Sequence, residues 1–597
     1  MKKKLYLPLI FLGVLILLLI PARFLWSDDE TFEPPNEKSP ITDVTVDHVQ
    51  TDLARYKPGE TITFEAELSK KPTNSIDMKI TYYHLNDVVH EKIMQVDQQN
   101  ISWDWTAPKE DFTGYYVEVS PLHNQKGYAT IGVDVSSTWV QFPRYGFLSD
   151  FKDKPEEEQQ AVVDQLNRYH INGVQFYDWH DEHHQPLKEE NGKPLSSWSN
   201  IANQPVSYET VQSYIDKVHN KKMTAMSYNL LNGALSESEE DGVKEEWRLY
   251  KDEEQEEYDV HSLPDDWKSD IYLTNPANGS WQNYIFNKQQ TVFDHLTFDG
   301  WHMDQLGDRG DVFDYNGDPV ALDKTFKSFI KNADDTFEDK QLVMNAVNQY
   351  GQEQIADSPV SFLYTEVWNP FKSYAELNSI LKENGKLSEG KKASVLAAYM
   401  NYDKSDQEGT FNTPGVLYTD ALIFAQGGAH LELGEHMLSK EYFPHNKLDM
   451  TEDLQQKMVN YYDFMVGYEN VLRDKVTSAP LEITTENWVR LTSEPEKGQI
   501  YTFAKKQENR KIVHFLNYFD ATHMNWRDTN GTQTEPSMKG DLSVTIQEEK
   551  EVDNVWIASP DWNKGLPTKL NFTQEGSDLT LTIPKIKYWD MVVLEYK

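Results

Sequence analysis

Three patterns of hydrophobic and polar residues follow one another along the chain, and the first is a strict alternation. Short runs in which every second residue is apolar recur after the turn-forming stretch Tyr56-Lys57-Pro58-Gly59-Glu60. A period of two buries one face of each run, and regularly spaced runs of this kind are typical of an immunoglobulin-like sandwich. We predict such a β-sandwich over residues 41–140, with strands at 61–68, 77–85, 88–96, 115–119 and 128–135.

From residue 141 short apolar runs alternate with longer amphipathic stretches. Apolar runs of this kind are typical of strands buried on both faces, and the stretches between them have helical periodicity. Eight such repeats predict a parallel (β/α)8 TIM barrel over residues 141–480, closed by a long helix at 451–473. The predicted strands are 145–150, 173–179, 223–230, 300–306, 342–348, 362–368, 394–401 and 429–433, and the predicted helices include 156–170, 208–220, 281–296, 323–337 and 374–383.

The two ends of the chain complete a multidomain organisation. Alternation returns after Pro480 and predicts a C-terminal β-sandwich over residues 481–597, with strands at 488–492, 500–504, 511–518, 542–546, 554–558, 579–583 and 591–596. Near the start, Lys2-Lys3-Lys4 precedes an apolar run at 5–20, so residues 1–27 are predicted to be a signal peptide or a membrane anchor. A polar, Pro-containing linker follows at 28–40. We therefore expect an extracellular protein, secreted or anchored to the membrane by this segment.

Charge and composition exclude several classes of function. The 57 basic and 97 acidic side chains give a net charge of −40, which would repel nucleic acid. The chain has no cysteine, so disulfides and thiol nucleophiles are excluded. Aromatic residues reach 12%, an abundance that serves either large β-domains or stacking on sugar rings. We expect a monomer that binds no nucleic acid and contacts a membrane only through its N-terminal segment.

Two predicted strands end in carboxylates, Asp304 and Glu366. In a parallel barrel the C-terminal ends of the strands share one cavity, so these groups are candidates for a nucleophile and a general acid/base. We assign Asp304 as the nucleophile because its short side chain is held close to the strand end. Glu366, beside Tyr364 and Trp368, is the better acid/base because apolar neighbours raise a carboxyl pKa. The pattern alone leaves these roles interchangeable, and either residue could be a structural ion-pair partner.

The other predicted strand ends supply an amide, further acids and aromatic rings, which suit an uncharged polyhydroxy substrate. The candidate substrate-binding residues are Asp178, Tyr177, Trp179, Tyr228, Asn345, Trp301, Trp368 and Glu432. We expect no metal and no cofactor. The stretch 314–318 resembles the start of a calcium loop but lacks the required Gly and Glu, and the residues at 180–184 do not have zinc-site spacing.

Several segments resemble glycoside hydrolase family 66, which contains bacterial dextranases and cycloisomaltooligosaccharide glucanotransferases. The similar segments are Phe176-Tyr177-Asp178-Trp179, Asp299-Gly300-Trp301 with Asp304 and Gly307, Tyr364-Thr365-Glu366-Val367-Trp368, and His430-Leu431-Glu432-Leu433-Gly434. The resemblance implies dextran and isomaltooligosaccharides as substrates and retention of anomeric configuration. It also implies a nucleophile at Asp304, an acid/base at Glu366 and sugar binding by Asp178.

The resemblance leaves two enzymatic activities and one binding function open. Cyclising members resemble a dextranase with a carbohydrate-binding domain inserted after the seventh strand, whereas here only about a dozen residues separate Asn401 from Pro414. Hydrolysis is therefore the favoured prediction, with a retaining endo-dextranase as the expected enzyme. The alternatives are a cycloisomaltooligosaccharide glucanotransferase and a non-catalytic surface protein that binds glucan.

Overall fold

The computed structural model describes residues 43–124 and 126–597. The predicted signal or anchor at 1–27 and the linker at 28–40 lie outside the described residues. Within them, no helix is long and apolar enough to cross a membrane.

The N-terminal part consists of two antiparallel sheets around one hydrophobic core. Alternation explains the burial: Ile62, Phe64 and Ala66 are buried, whereas Glu65 and Glu67 between them are exposed. Phe64 stacks on Trp103 with 5.0 Å between ring centroids. Two of these strands were missed in the sequence, Val46–Thr51 and Asn100–Thr106. One sheet contains Val46–Thr51, Thr61–Leu68 and Asn100–Thr106, and the other contains Asp87–Val96, Ile76–His84, Thr113–Pro121 and Ala129–Val135.

Eight parallel strands form the central part, and all of them fall within the predicted segments or overlap them. They are β1 (Tyr145–Leu148), β2 (Gly173–Phe176), β3 (Thr224–Leu230), β4 (Gly300–Asp304), β5 (Gln341–Met344), β6 (Leu363–Glu366), β7 (Ser394–Ala397) and β8 (Ala429–Leu431). β1 to β5 form one sheet and β6 to β8 another. A parallel bridge joins Asn345 to Tyr364, and the backbone N–H of Phe147 donates to the carbonyl of Leu433 at 3.0 Å. The two sheets are therefore linked at both edges.

Helices lie between most of these strands. They are α1 (Glu156–Arg168), α2 (Tyr208–Asn220), α3 (Gly279–His295), α4 (Leu322–Thr336), α5 (Gln352–Ala356), α6 (Tyr374–Leu387), α7 (Thr413–Ala425), α8 (Glu452–Gly467) and α9 (Glu469–Leu472). The predicted single helix at 451–473 is divided into α8 and α9 at Tyr468. α7 differs from the others because all its residues from Gly415 to Ala425 are buried. Short two- or three-residue strands in the connecting loops are Glu189–Glu190, Lys193–Pro194, Ser197–Ser199, Pro205–Ser207, Gly233–Ala234, Val260–His261, Ile271–Leu273, Gly409–Thr410 and Leu448–Asp449.

The C-terminal part again has two sheets with a shared core. The larger contains Thr477–Ala479, Leu491–Thr492, Ile500–Gln507, Arg510–Asn517, Trp589–Tyr596, Val552–Ala558 and Thr568–Lys569, and the smaller contains Ile483–Thr485, Lys539–Gln547, Asp578–Ile586 and Phe572–Glu575. The predicted strand at 488–492 is reduced to its last two residues, because Trp488 is 74% exposed on a loop.

All three parts pack into one body. A single hydrophobic cluster contains Tyr116 from the first part, Phe464 of α8 and Trp589 from the last. At another junction the Arg144 guanidinium lies 2.6 Å from Asp134 and 3.3 Å from Glu469, and all three side chains are fully buried. The central strands are therefore held from both ends of the chain.

Candidate functional site

The carboxylates of Asp304 and Glu366 lie at the same end of the parallel strands, with the amide of Asn345 between them. Asp304 ends β4, Glu366 ends β6 and Asn345 directly follows β5. The Asn345 Nδ2 donates to Oδ1 of Asp304 at 2.8 Å and to Oε2 of Glu366 at 3.0 Å. Because one nitrogen reaches both acceptors, these two oxygens lie within about 6 Å of each other. The Glu366 backbone N–H donates to Oδ1 of Asn345 at 3.2 Å, which fixes the orientation of the amide.

Asp304 is surrounded by donors that stabilise its ionised form. The Tyr228 hydroxyl donates to its Oδ2 at 2.6 Å, and the backbone N–H of Gln305 donates to its Oδ1 at 2.8 Å. Burial raises the pKa of Asp304, while these donors and Asn345 oppose the rise. The negative charge of Asp304 in turn raises the pKa of Glu366. Asp304 is therefore the first of the pair to ionise.

Glu366 retains its proton to a higher pH than an ordinary glutamate. Burial, followed by the charge of Asp304, raises the pKa of Glu366 to about 7. The Tyr399 hydroxyl opposes this rise by donating to Oε1 of Glu366 at 2.5 Å. Near neutral pH the site thus combines one carboxylate with one carboxylic acid, which is the pair needed for nucleophilic attack and proton donation.

A third carboxyl group, Asp178, lies on the Asp304 side of the site. It follows β2 with a φ of 48° and is 3% exposed. Burial and then the charge of Asp304 raise the pKa of Asp178 to about 8. Beside it, Tyr177 stacks on Phe443 with 3.8 Å between ring centroids, and its hydroxyl donates to the carbonyl of Glu441 at 2.9 Å. These groups give one side of the site a neutral polar and aromatic surface.

Asp304 and Glu366 accept hydrogen bonds from hydroxyl, amide, indole and backbone groups. Within residues 43–124 and 126–597, neither carboxyl group forms an ion pair with a cation. The alternative that either residue is a structural ion-pair partner is therefore unsupported.

Comparisons with known proteins identify the family of the chain. The sequence profile of glycosyl hydrolase family 66 matches residues 51–593. The chain belongs to this family. It is therefore a glycoside hydrolase.

Named relatives of this family 66 chain carry two activities. It is 26% identical over 744 aligned positions to a cycloisomaltooligosaccharide glucanotransferase from Niallia circulans, covering 99% of this chain and 75% of the relative. It is 24% identical over 594 positions to a dextranase from Streptococcus salivarius, covering 84% of this chain and 69% of the relative. Among solved structures, it matches a cycloisomaltooligosaccharide glucanotransferase from Paenibacillus sp. complexed with cycloisomaltoheptaose. That match has a TM-score of 0.86 and 24% identity, and it covers 92% of this chain and 99% of the other.

In this family 66 chain, seven of the ten residues singled out in the sequence surround one site. Besides the two carboxylates they are Asp178, Tyr177, Tyr228, Asn345 and Trp368. Tyr399, Glu441, Phe443 and Arg527 also belong to the site but were not singled out. Tyr399 could have been found, because it lies within the predicted strand 394–401 and near its C-terminal end.

Three predicted substrate-binding residues, Trp179, Trp301 and Glu432, lie away from the site. Trp301 packs edge-on against Phe286, Phe329 and Phe337 in the helical layer. Trp179 contacts Trp198 and Phe298, and buried Glu432 accepts from the Tyr462 hydroxyl at 3.0 Å. Successive strand residues point to opposite faces, so in β4 Trp301 points towards the helices. We withdraw the substrate-binding assignment of all three.

Two clusters of His and carboxylate residues bring possible metal ligands within 4.8 Å, Glu182–His184–Asp241 and Asp420–His430–Glu432. In the first, the Lys188 ammonium lies 2.9 Å from Glu182. In the second, the His430 ring lies 2.8 Å from Asp420 and 3.1 Å from Glu432. Ion pairing accounts for both clusters, and we assign no metal to either. The 314–318 stretch forms a polar turn, in which Oδ1 of Asp314 accepts the backbone N–H groups of Asn316 and Asp318.

Proposed function

We propose that this protein is a retaining endo-dextranase that hydrolyses α-1,6-glucosidic bonds through a covalent glucosyl-enzyme. In this proposal the eight parallel strands form a (β/α)8 catalytic barrel, flanked by an immunoglobulin-like sandwich and a C-terminal sandwich. The linkage of the two parallel sheets at both edges supports a closed barrel.

One observation carries the mechanism, the amide of Asn345 that bonds both carboxylates at 2.8 and 3.0 Å. Retaining glycosidases hold their carboxyl groups about 5–5.5 Å apart, whereas inverting enzymes need about 6.5–9.5 Å to admit a water molecule. The limit of about 6 Å applies to one oxygen of each group, and it fits the retaining spacing better than the inverting one.

Each residue then has one task. Asp304 attacks the anomeric carbon while Glu366 gives its proton to the glycosidic oxygen, so the leaving glucan departs as an alcohol. Glu366, now ionised, takes a proton from water, whose oxygen attacks the same carbon and returns the electron pair of the ester bond to Asp304. Asp178, Tyr177, Tyr228, Asn345 and Trp368 contact the sugars, and neutral Asp178 both donates to and accepts from hydroxyls.

The substrate assignment rests on the relatives and on the chemistry of the site. One relative is named a dextranase, and the matched crystal structure holds cycloisomaltoheptaose. Amides, hydroxyls and aromatic rings around neutral carboxyl groups suit such an uncharged glucan. Dextran and isomaltooligosaccharides are therefore the proposed partners of a monomeric enzyme.

Cyclisation is the second candidate, because relatives at 26% identity and the matched structure are glucanotransferases. The connection from β7 to α7 opposes it. Between Ala397 and Thr413 lie only a short 3-10 helix and the two-residue strand Gly409–Thr410, which leaves no room for an inserted binding domain. A non-catalytic glucan-binding role is not favoured, because the chain belongs to a glycoside hydrolase family and two carboxyl groups suited to the proposed roles share one site.

We also propose that the protein works outside the cell, secreted or anchored by its N-terminal segment. The motivation is the apolar run behind Lys2-Lys3-Lys4. Fractionation of the producing cells tests this location, and a purely cytoplasmic protein would contradict it.

The deciding experiment is chromatography of dextran digested by the purified protein, with polarimetry or NMR of the first products. We expect linear isomaltooligosaccharides that initially retain the α configuration. Asp304→Asn and Glu366→Gln should each lower kcat by about 10³-fold or more while dextran binding persists. Asp308→Asn, which changes an exposed carboxylate after β4, is the control. Mainly cyclic products would favour the glucanotransferase, and binding without any cleavage would favour the non-catalytic role.

A further inference from the structure

A cavity adjoins the site near Glu366, between the end of β6, the loop after β7 and a loop of the C-terminal part. Its volume is about 410 Å³, and its lining includes Trp368, Lys372, Tyr402, Asp403, Asn525 and Arg527. That volume falls in the range of about 300–1,000 Å³ that is typical of small-molecule sites. Aromatic, amide and hydroxyl groups with charges of both signs suit an uncharged polyhydroxy ligand better than an ion.

Arg527 connects this cavity with the C-terminal part. Its guanidinium carbon lies 5.0 Å from the ring centroids of both Trp368 and Tyr402, and 5.9 Å from that of Tyr399. Its Nη2 donates to the carbonyl of Val367 at 2.9 Å. The aromatic rings and the bond to Val367 fix the position of the guanidinium but use only part of its hydrogen-bonding capacity. Further N–H groups therefore remain available to a ligand.

The loop that carries Arg527 is docked on the central strands. The backbone N–H of Asn401 donates to the carbonyl of Arg527 at 2.9 Å, and the Asn401 side chain donates to the carbonyl of Asp528 at 2.7 Å. Both bonds come from the segment directly after β7. The cavity therefore has walls from two parts of the chain that are held in a fixed relation.

The cavity is next to Glu366, whereas Asp178 is next to Asp304. Asp178 follows β2, and the charge of Asp304 raises its pKa. Trp368 follows β6 and the Tyr399 hydroxyl donates to Glu366, and both rings face the Arg527 guanidinium. We therefore place Asp178 and the cavity at opposite ends of the catalytic pair. A general acid must touch the glycosidic oxygen, which joins the reacting glucose to the leaving group. Side chains that lie beyond Glu366, on the side away from Asp304, therefore contact the leaving group.

We propose that this cavity binds glucose residues on the leaving-group side of the cleaved bond, with Arg527 and Lys372 as binding residues. This inference rests on the proposed function. The C-terminal part would then supply a piece of the substrate site and not only a support.

The same cavity would hold the acceptor when a sugar replaces water in the second step. A hydroxyl oxygen of the bound sugar attacks the anomeric carbon, and its proton passes to the Glu366 carboxylate. The bond to Asp304 breaks, and its electron pair returns to that carboxylate. Loss of the cavity contacts should therefore shift the partition of the glucosyl-enzyme towards water.

The test compares two substrates with different leaving groups. Dextran places glucose residues on the leaving-group side, whereas 4-nitrophenyl α-isomaltoside places none. For Arg527→Met we expect kcat/KM on dextran to fall about tenfold or more and on the aryl substrate about threefold or less. Transfer products with added isomaltose should fall in parallel. Arg510→Met is the matched control, because Arg510 pairs with Glu595 at 3.1 Å on neighbouring strands of the C-terminal part.

Lys372→Ala provides an independent variant that does not depend on the packing of Arg527. Lys372 is exposed and precedes α6, so its removal should leave the fold intact, and exposed Lys382 on α6 is its control. Equal losses on both substrates, or no loss on dextran for either variant, would overturn the inference. If the unmodified protein releases neither nitrophenol nor reducing sugar, the proposed function itself fails, which is a different result.

Discussion

Asn345 shows how one amide can organise two acids. Its nitrogen bonds both carboxylates, and its oxygen is held by the backbone N–H of Glu366. The surrounding donors then distinguish the acids: Asp304 receives a hydroxyl, an amide and a backbone N–H, and Glu366 remains protonated to about pH 7. The difference in role between two similar side chains therefore comes from their neighbours.

The raised pKa of Glu366 predicts that the catalytic acid destabilises the fold. Its pKa is about 7 in the folded chain and 4.5 for an ordinary glutamate, so between these values the folded chain holds a proton that the unfolded chain has released. Stability must then fall as pH rises from about 4.5 to about 7. Glu366→Gln removes this loss. We expect the variant to be inactive but more stable at pH 8, by up to about 3 kcal/mol.

Thermal unfolding of both proteins from pH 4 to pH 8 measures this effect. The stability gain of Glu366→Gln should be small at pH 4, grow between about pH 4.5 and about pH 7, and level off above pH 7. Glu482→Gln, at an exposed glutamate of the C-terminal part, should show no such trend. A gain that does not depend on pH would contradict the linkage.

At the scale of strands and helices, the sequence predicted which segments form the parallel strands but not which way each side chain points. Both faces of these strands are buried, so hydrophobicity does not distinguish the interior from the helical layer. This is why Trp301 was assigned to the site together with Asp304. Arg527 was beyond such reasoning, because packing brings it to β6 from a loop about 160 residues further along.

The carboxyl groups at the strand ends also set the pH range of activity through their pKa values, and the bond from Tyr399 adjusts one of these values. The Tyr399 hydroxyl bond lowers the pKa of Glu366, so Tyr399→Phe should raise that pKa further. The basic limb of the kcat/KM profile should move to higher pH, by about one unit or less.

Tyr83→Phe is the matched control, because the Tyr83 hydroxyl donates to Glu118 at 3.0 Å in the N-terminal sheets. Its pH profile should coincide with that of the unmodified protein. A basic limb that moves to lower pH in Tyr399→Phe would show that another group controls it.

At the scale of the whole molecule, the junctions depend on buried charge. Arg144 lies 2.6 Å from Asp134 and 3.3 Å from Glu469, where the N-terminal sheets meet β1 and α9. Arg144→Met leaves both acids without this partner and should cost about 3–5 kcal/mol of unfolding free energy. Lys70→Met removes an exposed pair with Asp43. Water screens that pair, so its loss should lower the unfolding free energy much less than the loss of Arg144.

Urea unfolding followed by tryptophan fluorescence compares these two variants. Sixteen tryptophans spread over the chain report on its separate parts. Equal midpoints for Arg144→Met and Lys70→Met would mean that the buried network does not hold the junction.

The burial of α7 on all sides affects how the enzyme is made. Part of its cover comes from the strands Arg510–Asn517 and Trp589–Tyr596, which follow α7 in the sequence by about 85 and 165 residues. The ribosome synthesises α7 well before the strand Trp589–Tyr596, so a hydrophobic helix is partly uncovered during synthesis. We therefore expect the nascent protein to be prone to aggregation until the strand Trp589–Tyr596 has been made.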